Sequence, residues 1–489
     1  MDPDGEMITV RFLSADDILQ IHKATMDILE KIGILVQNES ALNLLEEAGC
    51  IIEDNHAKIP ASLVEESIHT ASSSFDLFSR DGDRVCTIGV DRVVFNPGSS
   101  AVFYKDRETR EIRKGTSRDI VELVQLVENL EHIEAQSTAL VPSDVPEQIS
   151  GLYRLYLTLK HSTKPIVTGA FSKEGLNEMK LLLETVVGGS DELANKPCAI
   201  FDCCPTSPLT WGDAASQNLL DCSEASIPAA IVPAPLSGAT SPITIHGTLV
   251  QVNVEILGGL VMSQLKNPGA PIIYGGAPGS FDMRYATPRF SAVEAMITSC
   301  ASSEMGKHYG LPTHAYLGTS DSKTQDAQSG FETGLGLALG ALARINVVSG
   351  PGLLAHLNCQ SLEKLVIDNE LCGTAFRLIR GFELEDMDII TELISKVDSD
   401  GDYLRQKHTS KRLRTEHFMP SSVIDRLSTE TWIDKGSLDI VERARDRVND
   451  ILKEHPHHGL SKDVENQLES NLKDIISKHN LSINQIPIM

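Results

Sequence analysis

A chain of 489 residues, 41% hydrophobic and 23% charged, carries enough apolar material for several globular domains or for one large α/β barrel with additions. Its 68 acidic residues against 43 basic give a net charge of −25, which argues against a basic stripe for nucleic-acid phosphates and against attraction to an anionic membrane surface. Nine scattered cysteines read as reduced thiols in a cytosol, and the acidic start MDPDGEMITVRFLSADD lacks the apolar core of a secretory signal.

Residues 1–92 read as an N-terminal α+β extension. Ser14 and Asp17 make an acidic variant of the capping box, and ADDILQIHKATMDILEKIG then runs at helical spacing until Gly33 stops it. The short pieces ILV, ESALNLLEEAG, CIIE and ASLVEESIHTA follow, and FDLFSR with VCTIGV predicts a β-ribbon. Residues 93–382 repeat one unit. Apolar runs fall at 93–96, 133–137, 165–170, 198–203, 229–234, 271–275, 312–317 and 345–349, and nearly every gap holds one segment of helical period. Strands that are apolar throughout predict a parallel sheet buried on both faces, and eight of them close a (β/α)8 TIM barrel. An open doubly wound sheet is the weaker alternative, because NPGSSAV after the first strand is not G-x-G-x-x-G. Residues 383–489 read as a charged C-terminal helical region, ending in the pair KEHPHHGLSKDVENQLESNLKDIISKHN, that packs on the barrel or on a partner subunit.

Barrel chemistry sits in the loops after the strands. Here those loops are polar and small: NPGSSAVFY, CCPTSPLTW, PAPLSGATSPITIHG, YGGAPGSFDMRYATP, GTSDSKTQDAQ and SGPGLLAHLNCQ. Glycine lets a backbone approach a large ligand, and hydroxyls offer neutral hydrogen bonds.

Several stretches resemble the trimethylamine methyltransferase superfamily: LSGATSPITIHGTLVQVNVEILGGLVMSQLKNPGAPIIYGG, GTSDSKTQDAQSGFETG, LEKLVIDNELC and HTSKRLRTEHFMPSSVIDRLSTETWIDKG. The resemblance runs in order over nearly the whole chain. It implies a barrel, a role in one-carbon metabolism such as methanogenesis, and methyl transfer from a methylamine to the cobalt of a separate corrinoid protein. The archaeal trimethylamine enzymes carry pyrrolysine near the seventh-strand loop, whereas every residue from His314 to Lys323 here is ordinary. The resemblance is therefore to the branch without pyrrolysine, whose members demethylate glycine betaine, proline betaine, carnitine or γ-butyrobetaine. Glycine betaine, giving dimethylglycine, is the favoured donor, with another betaine or a methylamine as the alternative.

A quaternary ammonium leaves as a neutral amine, so its methyl needs positioning and dryness and no proton donor. No catalytic side chain is assigned for that reason. The cation wants aromatic faces, each worth about 0.5–2 kcal/mol. Phe95, Tyr104, Tyr274 and Tyr316 are the candidates beside strand ends, with Phe103 and Phe281 nearby. A betaine carboxylate wants a cationic or N–H donor, for which His356 is the first choice and His314 the second. Asp321 and Gln328 are expected at the mouth. Gly98, Ser99, Gly275, Gly276, Gly350, Gly352 and Arg284 are expected to face the corrin, which the partner protein carries, so this chain is expected to hold no cofactor or metal of its own. A homo-oligomer is expected. Two rival readings carry less. Zinc on Cys198, Cys203, Cys204 and His356 conflicts with strand parity, which turns Cys203 and Cys204 to opposite faces. A Schiff base on Lys164 or Lys323 needs a desolvated lysine inside the barrel.

Overall fold

Runs too apolar to leave either face in water become eight parallel strands. In the structure, a computed structural model that describes residues 8–397, 399, 401–454, 459–482 and 486–487, they are β1 (Val94–Asn96), β2 (Gln136–Ser137), β3 (Ile166–Thr168) and β4 (Ala199–Cys203), then β5 (Ala229–Ile231), β6 (Ile272–Tyr274), β7 (His314–Tyr316) and β8 (Val347–Ser349). Each is followed by its helix: α1 (Ser117–Glu128), α2 (Glu147–His161), α3 (Gly175–Val187), α4 (Asp213–Glu224), α5 (Ile245–Lys266), α6 (Val293–His308), α7 (Ala327–Leu342) and α8 (Leu362–Arg380). Strands β2 to β6 pair in order, all parallel, and β7 pairs with β8 and β8 with β1. Tyr274 bridges to Thr313 between β6 and β7, and the amides of Glu134 and Ala135 donate to the carbonyl of Phe95, which closes the ring between β1 and β2. The fold is a (β/α)8 barrel.

The extension caps both the flank and the floor. Its first helix, Ala15–Lys31, carries the reciprocal Ser14–Asp17 box and packs on α5. Strand Ile34–Val36 joins a small sheet in which Thr210–Trp211, from the loop after β4, is its parallel neighbour. The ribbon Ser74–Phe78 and Arg84–Gly89 crosses the strands' amino ends: Phe78 N donates to Pro197 O, Arg80 N to Thr163 O, and Asn346 Nδ2 to Gly89 O. Helix α5 is long and apolar enough to cross a membrane by composition, yet 78% of its apolar window is buried inside the protein. Its apolar character follows from its protein neighbours on several sides, not from lipid.

The C-terminal helices lie against the outer ring of the barrel. Ile440–Glu454 packs on α8 and α1, with Arg445 Nε 3.4 Å from Glu363. Lys462–Lys478 packs on α3 and α2, and Lys160 lies 3.0 Å from Glu465. The acidic start at 1–7 and the 455–458 part of the expected final helical pair lie outside the described residues.

Candidate active site

Strand parity decides which side chains meet at the barrel axis. On β7, His314 and Tyr316 point inward, and Ala315 outward. The Tyr316 hydroxyl donates to Asp202 Oδ2 of β4 at 3.3 Å, and the Ser99 amide of the loop after β1 donates back to the same hydroxyl at 3.3 Å. Asp202 is the one acid in an otherwise apolar strand. Its Oδ1 is buried with no partner, and no cation lies within ion-pair distance among the described residues. Burial pushes its carboxyl up to about 7, with the Tyr316 hydrogen bond pulling weakly the other way.

A second inward group joins β1, β8 and β7. Asn96 Nδ2 donates to Ser349 Oγ at 2.8 Å, and Ser349 Oγ lies 2.9 Å from His314 Nε2. Burial pulls His314 down to about 3, so the imidazole is neutral at physiological pH. Its Nδ1 is buried without a partner among the described residues, and Gly275 leaves room beside it: a Cβ there would stand 3.2 Å from that nitrogen. The His314 and Tyr316 rings meet edge-on at 5.2 Å. The interior end of the mouth thus offers a carboxyl, a phenol and a neutral imidazole, arranged by four strands and one loop.

The other sequence candidates fall in several places. Gly98 (φ +73°) passes under Tyr316, whose Cε1 would be 2.9 Å from an added Cβ, so Gly98 and Ser99 border the same site. Gly276 is nearly open, meeting only Pro278 within 3.4 Å. Gly350 and Gly352 pack tightly against Gly318 and against Gln360 and Leu365. Phe95 and Tyr274 have the outward parity. Phe95 stacks edge-on with Phe376 of α8 at 5.0 Å, and the Tyr274 hydroxyl donates to Asn253 of α5. Tyr104 lies in a side sheet beneath the Arg113 guanidinium, 4.9 Å from its ring centre. Arg284 is exposed and doubly bonded to Asp282, and Gln328 is exposed and bonded to Glu332.

His356 sits in a left-handed turn formed by three successive non-glycine residues, Ala355, His356 and Leu357. Such conformations cost about 1–3 kcal/mol each unless the surroundings enforce them. Here Ala355 N donates to Ser322 O of the neighbouring loop. The His356 Nε2 lies 2.9 Å from Lys323 Nζ, and Nδ1 lies 3.2 Å from Asp321 Oδ1, close enough to pair though off the hydrogen-bond axis. An ammonium beside Nε2 fixes that nitrogen as acceptor and puts the ring proton on Nδ1, toward Asp321. The backbone amides of Phe290 and Ser291 also donate to Asp321, so loops six, seven and eight are pinned together there.

The trimethylamine methyltransferase (MTTB) family profile matches residues 3–483. The chain belongs to the trimethylamine methyltransferase family. It is 30% identical over 460 residues to the glycine betaine methyltransferase of Desulfitobacterium hafniense strain Y51, covering 94% of this chain and 95% of that protein. It is 29% identical over 465 residues to the trimethylamine methyltransferase MttB of Methanosarcina barkeri, covering 94% and 93%. The crystal structure of the Methanosarcina barkeri monomethylamine methyltransferase MtmB superposes with a TM-score of 0.50 at 11% identity, covering 89% of this chain and 93% of that one, a likeness of fold.

Within this methyltransferase fold, neither rival set of residues is gathered. The Cys203 thiol turns outward toward Cys222 of α4, and Cys198 is fully buried. Among the described residues no three His, Cys, Asp or Glu side chains are placed to hold a metal ion. Lys164 Nζ donates to the carbonyls of Val127, Leu130 and Ile133 at 2.7–2.8 Å, at the strands' amino ends. Sequence reasoning passed over Asp202, Asn96 and Ser349. The signal was present for the first: one carboxylate inside AIFDC, on a strand whose other side chains are all apolar.

Proposed function

We propose that this methyltransferase moves a methyl group from a quaternary amine, with glycine betaine favoured, to the cob(I)alamin of a partner corrinoid protein in the cytosol. The observation that carries the reading is the inward Asp202, its Oδ1 buried and without a counter-cation among the described residues, held by the Tyr316 hydroxyl, with a neutral His314 edge-on to the Tyr316 ring. A carboxylate buried without a counter-cation is unfavourable in the empty site and complements a cation that enters it. A trimethylammonium group suits it because it has no N–H to be satisfied. None of the three groups is needed as an acid: the C–N bond breaks with its electron pair going to nitrogen, and the leaving dimethylglycine is a neutral amine at that atom. What the protein supplies is orientation of one methyl toward the opening and exclusion of water. The corrin supplies the cobalt nucleophile. Gly98, Ser99, Gly275 and Gly276 keep the rim low around Tyr316 and His314, which suits close approach by a flat macrocycle.

The test is a donor panel. Purified protein, reduced corrinoid partner and one of glycine betaine, proline betaine, carnitine, γ-butyrobetaine, trimethylamine or monomethylamine are mixed, and cob(I)alamin absorbance is followed into methylcobalamin. Transfer from a betaine but not from the protonated methylamines is expected. Transfer from trimethylamine alone contradicts the reading.

A further inference from the structure

Asp202, bonded to the Tyr316 hydroxyl, lacks a counter-cation among the described residues, and a second group at this mouth lacks a counter-anion. Arg154 of α2 is 1% exposed, and all its hydrogen bonds among the described residues use Nη1, to Thr138 O at 2.8 Å and to Ser100 Oγ at 3.3 Å. Its Nε is buried with no partner, and no carboxylate comes within ion-pair distance among the described residues. A guanidinium presents five donors in a planar fork that fits a carboxylate, and a buried one ordinarily has such an anion. A residue needed only to pin α2 to β2 would not require that fork. Burial pulls it below the usual arginine range, to about 10, as expected of a cation lacking its counter-charge.

One side chain connects the two charges. Phe171, in the loop after β3, is 67% exposed, and the Arg154 Cζ lies 5.3 Å from its ring centre. The far edge of the same ring borders Gly169: a Cβ built there would stand 4.0 Å from Phe171 Cζ and 3.9 Å from Asp202 Cβ. The solvent-facing Phe171 ring therefore carries the Arg154 guanidinium over its face and brings its Cζ tip to Gly169, which adjoins Asp202, while the guanidinium and the carboxyl make no ion pair with each other among the described residues. That is the complement of a dipolar ligand.

We propose that Arg154 and Phe171 form the subsite for the carboxylate end of a zwitterionic methyl donor whose ammonium end faces Asp202. The inference rests on the functional reading above and adds the group that distinguishes a betaine from a simple tetraalkylammonium ion. It also assigns that role away from His356, whose two ring nitrogens already face Asp321 and Lys323.

Two ligands of equal charge at nitrogen make the test: glycine betaine or γ-butyrobetaine, and tetramethylammonium, which has no carboxylate. Binding is measured by isothermal titration without the corrinoid partner, and kcat/KM is measured with it, for wild type, Arg154→Met, Arg154→Lys, Phe171→Ala and His356→Ala. Wild type is expected to prefer the carboxylated ligand. Arg154→Met is expected to reduce that preference at least tenfold, chiefly through KM, with Arg154→Lys restoring part of it. Phe171→Ala, at a ring 67% exposed, is expected to reduce it severalfold even if Arg154→Met does not fold. Equal wild-type binding of both ligands, or a preference removed by His356→Ala and kept in Phe171→Ala, overturns the subsite. Absence of methyl transfer from every donor, with the binding preference intact, overturns the functional reading and leaves the subsite standing.

Discussion

Asp202 concentrates the chemistry of this molecule in one side chain. Between the ordinary carboxylate range and about 7, the folded protein holds a proton on Asp202 that the unfolded chain releases, so stability from this residue falls as pH rises across that window. Asp202→Asn removes the effect, and its melting temperature at pH 8 is expected to exceed that of wild type by a few degrees, as read by circular dichroism. The same ionisation governs binding. Only the carboxylate attracts the ammonium, so kcat/KM for a quaternary amine is expected to rise with pH up to about 7 and then level, and Asp202→Asn is expected to lose that limb. A profile that is identical in the two proteins would remove Asp202 from the site. Tyr316 was legible as a mouth residue because it follows an apolar run and precedes a polar loop. Phe95 and Tyr274 obey the same rule, yet their rings face the helices. One residue of parity separates the two outcomes, and parity is fixed only when neighbouring strands close the barrel.

Among elements, the eight strands and their helices were plain in the sequence because a strand buried on both faces leaves an unbroken apolar run. The hydrogen-bonded parts are shorter than those runs: 133–137 yields Gln136–Ser137, with the preceding residues serving ring closure. The docking of the extension was not legible, since it depends on contacts far apart in sequence. Helix α5 shows the physical reason. Cβ atoms on Gly258 and Gly259 would stand 2.6 Å from Ile34 Cδ1 and 2.2 Å from Trp211 Cζ2, so two adjacent glycines let the helix approach both the extension and the loop after β4. Gly259→Ala is expected to destabilise the protein by about 1–3 kcal/mol, the ordinary range for overpacking a filled core. An unchanged denaturation midpoint would show that Trp211 moves aside at no penalty. Likewise, the left-handed turn at Ala355–Leu357 has no glycine to announce it. It exists because loops seven and eight hold each other through Ala355 N to Ser322 O and the Lys323–His356–Asp321 contacts.

As a whole molecule, the protein uses its flanking regions to cover a barrel whose open end is left for ligands. The ribbon at 74–89 closes the strands' amino ends, and the last helices bury Leu468, Leu472, Ile475 and Ile476 against the outer ring. Removal of residues 437–489 is therefore expected to expose that apolar surface and yield an insoluble product, and a soluble truncated chain with unchanged cooperativity would contradict this packing. The charge of −25 reports solubility at this scale and is silent about the site. The measurement that reaches the central claim most directly compares methylcobalamin formation by wild type and Asp202→Asn with the same saturable quaternary amine and reduced corrinoid partner. Wild type is expected to transfer the methyl group and Asp202→Asn to lose at least about thirtyfold in kcat/KM, the equivalent of about 2 kcal/mol for removing one partner of a buried charge pair. Equal rates in the two proteins would contradict the account.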